Sequence, residues 1–425
     1  MPVILHLGLG AFHRAHQAVY LQRLHEAGDG SWQMVSGNLC AGQEPLEAAL
    51  VAQGGAYTLE TVSPEGERHY ERIESVGRVL PFERGLHDLL RLGADAQTGI
   101  ISFTVTEAGY EDGALLYTTL TSILRERQRT GAGPVTLLSC DNLRDNGDVV
   151  RTGLLRQLRS ESDTDLLAWV EANTRCPSCM VDRITPRPTP EVGERAALAG
   201  FEPGAALMAE TFCQWVIEDD FCNGRPAWER VGVELVESVA PFEEAKIRIL
   251  NASHSAIAWA GTLAGYHFID EAMGDPAIRG MAHDFITNDV IPCLTPSPMD
   301  LPAYRDTVLA RFSNAALGDT CQRVVADGFA KIPGFIAPTI RERLARGESI
   351  ASSARLPALF LAFLQRWHAG ELAQPYQDQA MAPAVAHAIC AAADPVLALS
   401  LNLQLWGDLA GDARLLAALR NPYQP

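Results

Sequence analysis

Lysine is nearly missing from this chain. Of its 34 Lys+Arg residues only two, Lys246 and Lys331, are lysines, which leaves 32 arginines. A guanidinium keeps its proton at any working pH, whereas a buried ammonium can give its proton up. Lysine held at two places in an arginine-rich chain marks both as candidates for proton chemistry, with chance retention as the alternative. Other shortages exclude whole classes of function. No apolar run reaches the roughly 18 residues of a membrane span; "LPALFLAFL" (356–364) stops at Gln365. Basic charge is scarce beside 52 acidic residues, and the net charge of −18 argues against a nucleic-acid or anionic-membrane partner. The N-terminus lacks the basic start, apolar core and cleavage site of a secretory leader. Nine cysteines, an odd number without framework spacing, fit reduced thiols in the cytoplasm. Cys176 and Cys179 form the only Cys-x-x-Cys, and the further pair of ligands a structural zinc needs does not follow nearby.

What is present is ordinary globular material, 47% hydrophobic and 20% charged over 425 residues, enough for two or three domains. Apolar strands are expected at 3–7, 32–39, 98–110, 133–142 and 231–236. Helices are expected from about residue 12 and at 115–127, 148–158 and 164–173. Strands alternating with helices imply parallel βαβ units. Beyond Pro241 the pattern is helical almost throughout, at 243–264, 270–290, 301–313, 321–345, 356–369, 382–392 and 411–420. The expected fold is therefore α/β: a Rossmann-type dinucleotide-binding domain over 1–240, then a mainly α-helical domain over 241–425.

"HLGLGAFHRAH" places Gly8 and Gly10 between a strand and a helix, the first half of a dinucleotide fingerprint. The third glycine is missing, since His13 stands in its place. No acid ends the second strand, where "GNLC" puts Asn38 and no basic residue follows. Taken alone, the pattern is compatible with a dinucleotide turn and with a plain tight turn. Arg14 reads as a phosphate partner or as an exposed surface arginine. His13 and His16 are poorly spaced for a metal on one helix face.

The most informative stretch is "KIRILNASHSAIAWAG" (246–261), where a lysine, an asparagine and a histidine interrupt an apolar helix. Burying them without partners costs several kcal/mol. At 100° per residue, Lys246, Glu243, His254 and Asn251 project at about 0°, 60°, 80° and 140° and share one arc. Either the four form a polar stripe along a domain seam or they converge on a pocket. A desolvated lysine among a carboxylate, an amide and an imidazole suits general-base catalysis.

"KIRILNASH" resembles the Lys-x5-Asn-x2-His signature of the long-chain polyol dehydrogenases, the mannitol 2-dehydrogenase family. The resemblance continues through "GLGAFHRAHQAVY", "TVTEAGY", "SCDNLRDNG", "MVDRITPRP" and "QRVVADGFAKIPGFIAPTI", in order along nearly the whole chain. It implies hydride transfer from a sugar alcohol to NAD without a metal ion. Lys246 would be the general base, Asn142 and Asn251 the amides on the reacting oxygen, and His254 the residue that orients a substrate hydroxyl. Glu243 would lie on the proton's path to solvent, and Asp182, Arg323 and Lys331 would line the polyol pocket. Gly8, Leu9, Gly10, Ala11, Phe12, Arg14 and Glu107 would hold the cofactor. The resemblance further implies a cytoplasmic monomer with a small-molecule substrate.

Within the family, "ETVSPEGER", "MVDRITPRPTP" and "LPAYRDTVLARF" look most like the D-arabinitol 4-dehydrogenase branch, with oxidation of D-arabinitol to D-xylulose implied. Mannitol oxidation and hexuronate reduction are the alternatives inside the family, and a non-catalytic dinucleotide sensor is the alternative outside it. Two departures stand out: the connection "EDGALLY" (111–117) is shorter than the family's, and Phe329 replaces a residue that is often small and polar. The Tyr-x3-Lys base of the short-chain dehydrogenases is absent.

Overall fold

The computed structural model describes residues 1–421. The chain divides into two compact units, Met1–Ser63 with Glu67–Ala240, and Pro64–Gly66 with the chain from Pro241 onward. The described strands are β1 (Val3–Leu7), β2 (Gln33–Gly37), β3 (Tyr57–Val62), β4 (Arg68–Ile73), β5 (Val76–Leu80), β6 (Thr98–Phe103), β7 (Val135–Ser139), β8 (Thr174–Arg175), β9 (Cys179–Asp182), β10 (Leu207–Glu210), β11 (Gln214–Glu218) and β12 (Glu234–Val236).

The first unit is the expected Rossmann-type fold. Its main sheet runs β5-β2-β1-β6-β7-β8, and every neighbouring pair is parallel. The central strands are apolar on both faces, as a sheet covered by helices on each side requires. Ile4, Met34, Ile100 and Leu138 enter one core cluster, while Val3, Leu5, Leu7, Ile101 and Leu137 enter the other. Strand order reverses at β1, so the turn after Leu7 lies at the switch point beside β6, where open α/β sheets bind ligands. Two smaller sheets, β10-β3-β4 and β12-β11-β9, complete the unit.

Several expected boundaries move, each for a local reason. The strand expected over 98–110 stops at Phe103: the Thr104 N–H still bonds the Leu7 carbonyl at 3.1 Å, but those of Val105 and Thr106 turn aside to the Asp141 carboxylate. The last strand starts at Glu234, after a 3-10 turn at Trp228–Val231 and a left-handed Gly232 with φ 95°. The helix beginning near residue 12 is broken at His16 (φ −126°, ψ −84°), whose ring bonds the Gln214 carbonyl at 2.8 Å.

The second unit is helical, as expected, but not regularly so. The expected helix 243–264 is an α-helix at Ala240–Ala245, a π-helix at Lys246–Asn251 and an α-helix at Ala252–Ala264 closed by Gly265. Two more π-helices occupy Phe285–Val290 and Ile332–Ile336. The expected 321–345 helix also breaks at Asp327, which takes the left-handed conformation (φ 59°) between Cys321–Val325 and Gly328–Lys331. Among the described residues, no helix is long and apolar enough to cross a membrane.

Candidate active site

The glycine turn is built by exclusion. Gly8 has φ +120°, and a Cβ there would lie 2.7 Å from the Thr104 carbonyl oxygen, so no other residue fits without displacing β6's exit. Gly10 has open space around it. The helix Ala11–Ala15 that follows leaves its first N–H groups without intrahelical acceptors, the usual seat of a phosphate. The Leu9 N–H is already committed to Asn38 Oδ1 at 2.9 Å, and Asn38 Nδ2 donates to Glu47 at 2.7 Å. Asn38 therefore braces the turn from the position where other folds place the ribose-binding acid.

Arg14 corrects the sequence reading. It is buried, and its guanidinium donates to the carbonyls of Leu9 at 3.1 Å and Ala205 at 2.5 Å. It ties the turn down from inside the protein and is not an exposed surface arginine. His13, in the missing glycine's place, is buried too. Its ring stacks on His6 at 3.5 Å, and the pair is held by Ser36, Ser102 and Thr104 hydroxyls. Burial lowers both pKa values, that of His13 to about 3, so both rings are neutral core residues. Among the described residues, no three His, Cys, Asp or Glu side chains are grouped to hold a metal ion.

At the ends of β6 and β7 the organising residue is Asp141, which sequence reasoning missed. Its carboxylate accepts the Val105 N–H at 2.9 Å, the Thr106 N–H at 3.0 Å and the Tyr110 hydroxyl at 2.6 Å. Burial raises its pKa against those three hydrogen bonds. The clamp holds Thr106 at φ 64°, ψ 169°, a region that β-branched residues avoid. Glu107 follows, exposed at the start of the 3-10 turn Glu107–Tyr110. Asn142 is the next residue after the clamp and is exposed, while Asp182 ends β9 and is buried.

In the second unit, Lys246 opens a π-helix and Asn251 closes it. A π turn takes an extra residue, so the uniform 100° spacing expected above does not hold here, and Asn251 is drawn back toward the azimuth of Lys246. Such segments are rare and occur often at functional sites. Ser255 supports this one by donating to the Asn251 carbonyl at 2.8 Å, and Ser253 by donating to that of Ile249. The π segment packs against both other π segments. Lys246 and Glu243 are 7% and 5% exposed, while Asn251 and His254 are half-buried.

His254, Arg323 and Lys331 lie near one another, and a second missed residue connects the first two. Asp319 accepts from His254 Nε2 at 3.0 Å, and from Arg323 Nε at 2.8 Å and Nη2 at 2.7 Å. The His254 ring lies flat on Phe312, with centroids 4.6 Å apart. Desolvation lowers the His254 pKa despite Asp319, whereas His254 and Arg323 hold the Asp319 carboxyl below its usual range against burial. Lys331 donates to the Val324 carbonyl at 2.6 Å, and burial brings its pKa down to about 8. Phe329 points into the core, 1% exposed and edge-on to Phe360, so this departure affects packing. A sequence signal for Asp319 existed in its place four residues before Arg323, but the loop between two helices hid its nearness to His254.

Comparison with known proteins places the chain in a class. Residues 2–230 match the mannitol dehydrogenase Rossmann domain and residues 238–425 the mannitol dehydrogenase C-terminal domain. The chain belongs to the mannitol dehydrogenase family. It is 53% identical to the D-arabinitol 4-dehydrogenase of Ralstonia nicotianae, covering 99% of this chain and 95% of that one. It is 48% identical to the D-arabinitol 4-dehydrogenase of Klebsiella pneumoniae over 98% and 96%. Among solved structures it resembles the Pseudomonas fluorescens mannitol 2-dehydrogenase ternary complex with NAD and D-mannitol, at 30% identity and TM-score 0.82, covering 99% of this chain and 91% of that one.

Proposed function

We propose that the chain is a polyol dehydrogenase that oxidises D-arabinitol to D-xylulose with NAD⁺ and without a metal ion. The observation that carries this reading is the near-full-length identity to two proteins named D-arabinitol 4-dehydrogenase. The β1 turn fits a dinucleotide, given the absence of room for a Cβ at Gly8 and the open N–H groups at the helix start. Gly8, Leu9, Gly10, Ala11 and Phe12 would hold the pyrophosphate side and Glu107 the rim, with Arg14 bracing the turn from behind. No cation follows β2 to meet a 2′-phosphate, which supports NAD over NADP. NAD⁺ supplies the hydride acceptor when bound.

The chain's own residues handle the proton and the oxygen. Lys246, which is buried, takes the hydroxyl proton onto Nζ as the general base, and Glu243, three residues away and buried, passes it toward solvent. The Asn142 and Asn251 amides donate to the oxygen as it gains charge, the role a Lewis acid has in metal-dependent enzymes. His254, Asp182, Arg323 and Lys331 read the remaining hydroxyls, and a wrong stereoisomer leaves buried polar groups unpaired.

The test is formation of NADH by the purified protein against a panel of polyols with NAD⁺ and NADP⁺. D-arabinitol with NAD⁺ should have the highest kcat/KM and yield D-xylulose. Much higher efficiency with mannitol or a hexuronate would replace the substrate and leave the class. No turnover of any polyol would remove the class as well.

A further inference from the structure

Asp319 sits where two parts of the proposed site meet, and its backbone is fixed on both sides. Its carbonyl accepts the Ile269 N–H at 2.9 Å, Thr320 pairs with Phe268 in an antiparallel bridge, and the Cys321 N–H bonds the His267 carbonyl at 2.9 Å. The carboxylate is 12% exposed and uses its two oxygens separately, Oδ2 on His254 and Oδ1 on Arg323. A carboxylate only accepts, so His254 Nε2 carries the hydrogen in that contact and Nδ1 is left as an acceptor. Phe312 beneath the ring limits its rotation. On the other side, the Arg323 side chain is 66% exposed, yet its Nε and Nη2 are both taken by Asp319. A guanidinium binds a carboxylate best through such a paired edge, and here that edge is already filled.

We propose that Asp319 is a specificity-determining positioning residue that makes this site accept an uncharged polyol and reject a sugar acid. It sets the His254 tautomer, so that Nδ1 accepts a hydroxyl hydrogen from the substrate, and it occupies the edge of Arg323 that would capture a substrate carboxylate. This rests on the polyol dehydrogenase reading above, and it is not implied by the family resemblance, which assigned no role to residue 319.

The experiment compares D-arabinitol with D-arabinonate, which has the same five-carbon chain ending in a carboxylate, using NAD⁺ and the full-length protein. In Asp319→Asn, kcat/KM for D-arabinitol should fall about tenfold to hundredfold, mostly through KM, as for loss of a charge-assisted hydrogen bond. The ratio of kcat/KM for D-arabinonate to that for D-arabinitol should rise at least about tenfold, a loss of discrimination that mere structural damage would not produce. Adding Arg323→Ala to that variant should abolish the gain on D-arabinonate. If the wild type turns over D-arabinitol and the folded Asp319→Asn protein keeps the wild-type ratio, the proposal is wrong while the polyol reading stands. If the wild type turns over no polyol, the polyol reading falls first.

Should Asp319→Asn fail to fold, Arg323→Gln decides instead, since its side chain is largely exposed. His254 is faced by Asp319, Arg323 and Lys331. Arg323 holds the His254 pKa down, so removing the arginine should raise it and move the acidic limb of the kcat/KM profile to higher pH. An unmoved limb would overturn the proposal.

Discussion

Acid should destabilise the whole fold as pH falls below about 6.5, and the reason is the buried His6–His13 stack. His13 is held neutral by burial first, then by Arg14 and His16, which outweigh the opposing influence of the Gln17 side chain, and its pKa falls from 6.5 to about 3. In the unfolded chain the ring takes up a proton below about 6.5, while the folded chain refuses it until about pH 3. The resulting stability is complete above pH 6.5 and is lost as pH falls through that window. At pH 5 the loss is about 2 kcal/mol for His13 alone, with a limiting slope of about 1.4 kcal/mol per pH unit. His6, whose pKa burial also lowers, adds in the same direction. Against the about 5–15 kcal/mol that holds a typical protein, this is a large share. Urea unfolding of wild type and His13→Phe, from pH 7.5 down to 4.5, measures it. The phenyl ring keeps a planar partner for His6 but takes no proton, so the variant should lose less stability per pH unit than wild type. NAD⁺ affinity of the folded wild type should hold over the same window, because the folded ring takes no proton until about pH 3. Parallel pH slopes for the two proteins would refute the reasoning.

Asp141→Asn replaces one acceptor oxygen with a donor facing the Val105 or Thr106 N–H. It should cost about 1–3 kcal/mol and raise the NAD⁺ KM about tenfold as Thr106 relaxes, which thermal unfolding and cofactor titration would show. Gly8→Ala puts a methyl 2.7 Å from the Thr104 oxygen at φ +120°. It should abolish NAD⁺ binding or leave the protein insoluble, and a soluble variant with normal affinity would contradict the account of the turn. Prolonged dialysis against a chelator should leave activity intact, and loss restored by zinc would mean the oxygen is stabilised by a metal after all.

The fold was largely readable because its signals are local. "PVILHLGLG" and "GPVTLLSCDN" are near-continuous apolar runs ending in polar turns, and the helix at 164–173 agrees with the observed Thr164–Asn173. The missed strands are β5 and β8 at the two edges of the main sheet and β3, β4 and β9–β11 in the small sheets, where some pairings span much of the chain, as β10 with β3. The site was half readable. The Lys246, Asn251 and His254 motif lies on one helix, so its spacing carries it, although a wheel drawn for a regular α-helix could not show that Lys246–Asn251 is a π turn. The burial of Arg14 was not legible because its partner Ala205 is 191 residues away. Asp141 and Asp319 went unseen because each acts through neighbours on other elements, with Thr106 35 residues away and His254 65.

The general base is the central claim, and Lys246→Arg tests it most directly. Arginine keeps much of the stem and supplies a cation there, but cannot give up its proton at a working pH. In a variant shown by circular dichroism to be folded, kcat with D-arabinitol should fall by roughly 10²–10⁴, the usual contribution of a general base. NAD⁺ affinity should stay near wild type, and Lys331→Arg should act mainly on KM. A folded Lys246→Arg enzyme with near-normal kcat would show that Lys246 is not the base.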